Sequence, residues 1–166
     1  MIFLLLLLLS SNILLGQNSA SFSSDLSARI VERPTIPSLS IYKSNDVEFG
    51  SIVPSAIMGS VRIDPINGAI THSNVTLLPS SKVRQVATFN IYGSPNHSIS
   101  IVFSSSVIEL SAPGVGEKLK YTLEKNNVIS VGSNGTAVLK VGGTLEIKAN
   151  QSPGNYNGTF NVTVNY

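Results

Sequence analysis

The sequence predicts an all-β protein built as an antiparallel β-sandwich, and three observations support this. After residue 16, apolar and polar residues alternate in short runs, which is the two-residue period of strands with one buried face. Turn signals rich in Gly, Pro and Asn separate these runs. No stretch beyond residue 16 has the period of an amphipathic helix.

The first 16 residues predict a secretory signal peptide. Residues 2–9 form a continuous apolar run that is too short to cross a bilayer, and small and polar residues follow it. We expect cleavage after Gly16, with cleavage after Ala20 as the alternative. The protein is therefore expected to be exported to the cell surface, the periplasm or the medium, with no transmembrane segment in the mature chain.

Residues 17–37 predict an N-terminal extended strand, at 22–31, followed by a stiff linker. The apolar face of this strand comprises Phe22, Leu26, Ala28 and Ile30. The chain after it is kept extended by Pro34 and Pro37, because proline fixes φ. Two interpretations stay open: the first edge strand of the protein's own sandwich, or a donor strand that pairs with a neighbouring subunit.

Residues 38–166 predict the sandwich domain. Its strands are expected at 38–43, 46–53, 59–64, 74–78, 85–92, 98–103, 118–124, 136–141, 143–149 and 156–165. Asn67-Gly68 marks a tight turn, since this pair supplies the positive φ that such turns need. Gly142-Gly143 predicts a hairpin or a bulge between two strands.

The last strand carries the clearest pattern. Even positions from 156 to 166 are apolar or small, and odd positions are Asn or Thr. The core residues of this C-terminal strand are expected to be Tyr156, Phe160, Val162, Val164 and Tyr166. Burying about four large apolar side chains contributes roughly 6–12 kcal/mol before entropy is subtracted, which is comparable with the net stability of a domain.

Charge and chemistry exclude several classes of function. The net charge is +2 with 12% charged residues and no basic cluster, so nucleic acid is not an expected partner. No Cys is present, which suits a secreted bacterial product. His72 and His97 lie in no recognisable motif, and no catalytic, metal or cofactor site is predicted. We therefore expect no enzyme activity. A hydrolase is the least favoured of three hypotheses, because it would need a pocket that brings a histidine close to a serine and a carboxylate.

Three segments carry a resemblance to a known family. They are VEFGSIVPSAIMGSVRIDPINGA (47–69), ATFNIYGSPNHSISIVF (87–103) and VGGTLEIKANQSPGNYNGTFNVTVNY (141–166). The most specific residues are Phe49, Gly50, Ile52 and Pro54, with 142–145 and 154–164. Together they resemble the secreted bacterial family named domain of unknown function 4402. The resemblance implies an immunoglobulin-like sandwich similar to fimbrial and spore-coat-U-type proteins, and a role at the cell surface.

These features favour a non-enzymatic structural or adhesive subunit of the cell surface, similar to a pilus or fimbria and assembled by donor-strand addition. Its expected partners are other copies of itself, joined head to tail, or other surface proteins. The alternative is a carbohydrate- or ligand-binding module, for which exposed aromatic residues on one sheet face would be needed. The residues to check are Tyr42, Tyr92 and Tyr121.

Overall fold

The computed structural model describes Ala28, Arg29 and residues 38–166, and these residues contain β-strands and no helix. The all-β antiparallel prediction is therefore confirmed for this part of the chain. The predicted signal peptide lies outside the described residues. The strands are β1 (Ser40–Asn45), β2 (Ile52–Pro54), β3 (Gly59–Ile63), β4 (Ile70–Ser73), β5 (Val75–Leu77), β6 (Ala87–Tyr92), β7 (Ser100–Phe103), β8 (Val107–Leu110), β9 (Leu119–Lys125), β10 (Thr136–Ile147) and β11 (Val162–Asn165).

The strands form one large sheet and two small ones. The large sheet runs β1-β6-β10-β3-β4, and β9 with β8 joins it along β10. The small sheets are β2 with β5 and β7 with β11. Both small sheets pack on the same hydrophobic core as the large sheet, which gives the two layers of a sandwich.

Strand β10 is the central element of the large sheet. Its first part, residues 136–141, pairs with β6, and its second part pairs with β3 and β9. The change of partner falls at Gly142-Gly143. A Cβ atom on Gly142 would overlap the carbonyl oxygen of Ile63, and one on Gly143 would overlap that of Thr122. The predicted break between two strands is wrong, because the two glycines let three backbones meet without ending the strand.

The core consists of two clusters that meet beneath β10. The Phe49 cluster contains Phe49, Val61, Ile63, Leu119, Tyr121, Leu145 and Ile147. The Ile91 cluster contains Ala87, Ile91, Ile99, Val131, Leu139 and Val141. Strands β2 and β5 cover part of the Phe49 cluster, and β7 and β11 cover the Ile91 cluster. Val47 and Leu123 contact both clusters, so the two halves form one continuous core.

Several strand boundaries differ from the prediction. The predicted strand 46–53 is reduced to β2, because Gly50 has a φ of +68° and turns the chain before Ile52. The predicted strand 156–165 is reduced to β11. Two strands were not predicted at all. Strand β4 has only exposed residues and therefore no apolar alternation, and β8 follows a serine run that resembles a loop.

The turn at Gly50 depends on Arg84. The Arg84 guanidinium donates hydrogen bonds to the carbonyl oxygens of Phe49 (2.8 Å), Ser51 (2.8 Å) and Leu78 (2.7 Å). One side chain therefore fixes the approach to β2 and the exit from β5. Nothing in the sequence pattern distinguished Arg84 from a solvated surface charge.

We expect Arg84→Lys to lower the free energy of unfolding by about 1–3 kcal/mol, because lysine keeps the charge but loses the planar fork of donors. Chemical denaturation followed by tyrosine fluorescence measures this change. The matched control is Lys82→Ala, whose exposed ammonium group lies 3.4 Å from Glu48 and is expected to change stability by less than about 0.5 kcal/mol. Equal losses in the two variants would contradict this account of the turn.

Candidate functional site

An open cleft of about 810 Å³ lies over the Phe49 cluster. Its floor is formed by inward-facing residues of β8, β9 and the second part of β10. One wall consists of residues 47–54 with 80–82, and the other consists of residues 151–158. The floor residues are Ile108, Leu110, Leu119, Tyr121, Leu145 and Ile147. Leu119, Tyr121, Leu145 and Ile147 are buried, and Ile108 and Leu110 are half-buried, so the floor is a core surface that is open only in part.

The backbone of β2 contributes an open edge to the cleft. Within the described part of the chain, β2 pairs with β5 alone, and β2 lines the cleft whereas β5 does not. The carbonyl oxygen of Ser51 accepts a bond from the Leu78 amide, 3.0 Å away, on the β5 side. Because backbone groups alternate along an antiparallel strand, the N–H and C=O of Ile52 point away from β5. Since Pro54 has no N–H, this edge offers one outward N–H donor, that of Ile52, together with the carbonyl oxygens of Ile52 and Pro54.

The floor is fixed by a contact between residues of separate motifs. The rings of Phe49 and Tyr121 pack edge to face with centroids 5.4 Å apart. The Tyr121 hydroxyl donates a hydrogen bond of 2.6 Å to the carbonyl oxygen of Gly142. Burial raises the pKa of the Tyr121 phenol above its usual range. The Phe-Gly motif and the Gly-Gly motif of the sequence therefore meet at one buried tyrosine.

The wall at 151–158 is held by a polar cluster. The Gln151 side-chain amide donates to the Glu117 carboxylate (3.1 Å) and to the Tyr156 hydroxyl (2.8 Å). Tyr156 in turn donates to the carbonyl oxygen of Ser152, 2.7 Å away. The Ser152 N–H and hydroxyl also donate to Glu117, at 3.2 and 3.1 Å. These bonds hold the wall in an irregular conformation, so the wall does not close over the floor as a strand.

The charged residues that line the cleft are Glu48 and Lys82, and they face each other. Their side chains form an ion pair of 3.4 Å, and Glu48 also accepts a bond from the Gly50 N–H at 3.0 Å. The charges at the mouth therefore compensate, and the floor is apolar. Polar and apolar groups contribute about equally to the exposed lining, which suits an uncharged segment with one apolar face better than a charged ligand.

The C-terminal residues predicted for the core have different positions. Tyr156 packs on the Phe49 cluster, whereas Phe160, Val162 and Val164 pack on the Ile91 cluster, and all four are half-buried. Tyr166 is 47% exposed, unlike a core residue. Its hydroxyl accepts a 2.6 Å bond from the backbone N–H of Ser94, which holds the ring at the rim of the sandwich.

Most of the predicted donor strand lies outside the described residues. These residues are Phe22, Leu26 and Ile30. Ala28 is described, and it is exposed and belongs to no strand. The donor strand therefore stays a prediction.

The three tyrosines proposed as ligand contacts separate into two environments. Tyr121 is buried, which corrects its proposed role on an exposed sheet face, because its ring is part of the core. Tyr42 and Tyr92 are exposed on neighbouring strands, and their rings contact each other.

The histidines occupy separate places in the structure. His72 is exposed on β4, and the His97 ring packs against Tyr166 with centroids 5.8 Å apart. Among residues 28, 29 and 38–166, no three potential ligands from His, Cys, Asp and Glu group together as a metal site would require.

Within the same residues, no helix has the length and apolarity needed to span a bilayer.

Residues 39–166 match the family described as domain of unknown function 4402. This match covers more than half of the chain, and the chain therefore belongs to that family. No curated protein and no solved structure matches the sequence.

We expect the stability of the fold to decrease at alkaline pH because of Tyr121. The pKa of Tyr121 is higher in the folded state than in the unfolded state, so the neutral phenol stabilises the fold. This stabilisation is fully present below the unfolded-state pKa of about 10 and is lost as the pH rises through the folded-state pKa. Denaturant unfolding at a series of pH values measures this loss. Tyr121→Phe should be less stable at neutral pH by about 1–2 kcal/mol and should show a smaller alkaline loss. An unchanged pH dependence in this variant would contradict the assignment.

Proposed function

We propose that this protein is a secreted, non-enzymatic subunit of the bacterial cell surface, structural or adhesive, that assembles by donor-strand addition as a pilus- or fimbria-like chain of copies. The observation that carries the proposal is the cleft. Its apolar floor lies beside an open strand edge, and this combination suits the addition of one more strand. The absence of a recognisable catalytic set in the sequence is consistent with a structural role.

The proposed occupant is residues 22–31 of a second copy. Phe22, Leu26 and Ile30 would face the floor, while Asp25 and Arg29 would remain on the solvent side. Asp25 and Arg29 carry opposite charges, so the outer face of the segment has no net charge. The mouth of the cleft is likewise neutral, because Glu48 and Lys82 form an ion pair. The segment precedes the described domain directly, so each copy carries both a donor strand and an acceptor cleft.

The energetics predict a reversible junction. Burial of three large apolar side chains contributes roughly 5–9 kcal/mol. Each new backbone hydrogen bond to the edge of β2 adds about 0.5–1.5 kcal/mol. The loss of translational and rotational freedom costs about 4–15 kcal/mol. These opposing contributions are similar in size, so assembly should depend steeply on protein concentration.

The geometry of exchange predicts a filament. A donor strand and an acceptor cleft are different surfaces, so the contact is head to tail and does not need to close. Pro34 and Pro37 are expected from the sequence to keep the linker extended, which would disfavour its return to the cleft of its own chain. Exchange between copies is therefore favoured over self-insertion.

We expect the chain that starts at Gln17 to form polymers, and the chain that starts at Ser38 to stay folded and monomeric. Light scattering and negative-stain electron microscopy measure assembly, and circular dichroism measures folding. Leu26→Arg should abolish polymers because it places a charge over the apolar floor. Its matched control is Ser27→Arg, which puts the same charge on the opposite face of the strand and should leave polymers intact.

A different result would overturn this proposal. If the longer chain is monomeric and the truncated chain unfolds, residues 22–31 complete the sandwich of their own molecule. If Leu26→Arg and Ser27→Arg reduce assembly equally, the apolar face of the segment does not enter the cleft.

A further inference from the structure

The outer face of the large sheet carries a pair of exposed tyrosines. Tyr42 on β1 and Tyr92 on β6 are 62% and 44% exposed, and their ring centroids lie 5.8 Å apart with an interplanar angle of 72°. Their positions follow from the strand register. Tyr42 pairs with Asn90 and Ser40 pairs with Tyr92, so the two rings are diagonal neighbours on the same face. This face is opposite the one that covers the Ile91 cluster, so it does not belong to the cleft.

The strand β10 extends this face beside the tyrosines. Thr136 lies opposite Tyr92, and Val138 lies opposite Asn90, in the ladder between β10 and β6. Val138 is also exposed. The three adjacent strands span two strand spacings, which is about 10 Å. The result is an open platform with rings, one aliphatic side chain and hydroxyl groups at its surface.

The centre of the platform is polar. The Asn90 side-chain amide donates a hydrogen bond of 2.8 Å to the Ser44 hydroxyl. An asparagine amide has two donor hydrogens and two acceptor lone pairs, so this bond leaves Asn90 with further hydrogen-bonding capacity. Polar groups that are already oriented beside an aromatic ring are suited to a ligand with both an apolar face and hydroxyl groups.

The platform has little charge. Of the residues in β1, β6 and 136–141, only Lys43 and Lys140 are charged, and no carboxylate is present on these segments. Lys43 is paired with Asp46 at 2.6 Å. A strongly charged ligand would find no matching cluster here, so the charge pattern favours a neutral one.

The area of the platform distinguishes a small ligand from a protein. Two partly exposed tyrosines present on the order of 200 Å² of ring surface. A stable protein interface buries about 800 Å² on each partner, so a protein or a second copy would need far more than this patch. A sugar ring, with one apolar face and equatorial hydroxyls, fits this area and this chemistry.

We propose that Tyr42 and Tyr92 form a binding site for a neutral oligosaccharide, with Asn90, which lies opposite Tyr42 on the same face, as the hydrogen-bonding residue. Because the two rings meet edge to face, a sugar ring stacks on a tyrosine face that this contact leaves open, and its hydroxyl groups bond to the Asn90 amide. The site is independent of the cleft and of donor-strand addition. It would give each copy in an assembly its own contact with glycan.

Isothermal titration calorimetry on the mature chain tests the site, with cellohexaose, chitohexaose and mannohexaose as probes and hexagalacturonate as the anionic control. We expect binding to at least one neutral hexaose and weaker binding to the anionic one. Tyr42→Ala and Tyr92→Ala should each weaken binding about tenfold, which corresponds to ~1.4 kcal/mol. Tyr42→Phe keeps the ring and should bind within a few-fold of the native protein. Ile129→Ala, at an exposed position on a different segment, is the surface control.

Three outcomes would overturn the assignment. One is the absence of binding to all three neutral hexaoses. Another is equal binding by the native protein and the two alanine variants. The third is self-association that persists in Leu26→Arg and is lost in Tyr42→Ala, because it would assign the face to a second copy. The first two results do not depend on whether the chain that starts at Gln17 forms polymers, so the binding test and the assembly test can fail separately.

Discussion

The rest of the sandwich depends on the close backbone contact at Gly142-Gly143. At this point β10 leaves β6 and joins β3, while β9 follows its second part. Any side chain there would push the backbone of Ile63 or Thr122 away. The Tyr121 hydroxyl binds the Gly142 carbonyl from below, so the same point also anchors the floor of the cleft. Both core clusters are thus organised around a single strand that continues through a change of partners.

This arrangement explains why the second layer is incomplete. The large sheet is continuous, whereas the layer above it consists of two separate pairs of strands, β2 with β5 and β7 with β11. A two-stranded sheet is only marginally stable by itself, so each pair depends on the core cluster beneath it. Arg84 ties the β2–β5 pair to its loops, and the Gln151 cluster fixes the irregular wall on the other side. The cleft lies between these two local structures, above floor residues that are buried or half-buried.

The alternating pattern predicted which face of most strands is buried. This was possible because one side of each strand packs on the same core. It predicted the inward direction of Phe160, Val162 and Val164 correctly, although the regular strand begins only at Val162. Residues 156–161 have the same alternation but follow other bonds, since Tyr156 reaches back to Ser152 and Asn157 bridges to Ser111. Periodicity records burial and not hydrogen-bond partners, so it could not reveal this difference.

The features that define the candidate sites come from long-range contacts. Arg84 binds three carbonyl groups, two of which are more than thirty residues away, and Tyr121 is separated from Gly142 by 21 residues. The sequence alone could name Tyr42, Tyr92 and Tyr121 together. The register of β1 against β6 brings Tyr42 and Tyr92 to one exposed face, whereas packing in the Phe49 cluster buries Tyr121. Two of these rings are kept at the surface although burial would stabilise the fold by about 1.5–3 kcal/mol each. The floor of the cleft is buried or half-buried, so the exposed apolar surface that an occupant would stabilise lies mainly at Tyr42 and Tyr92.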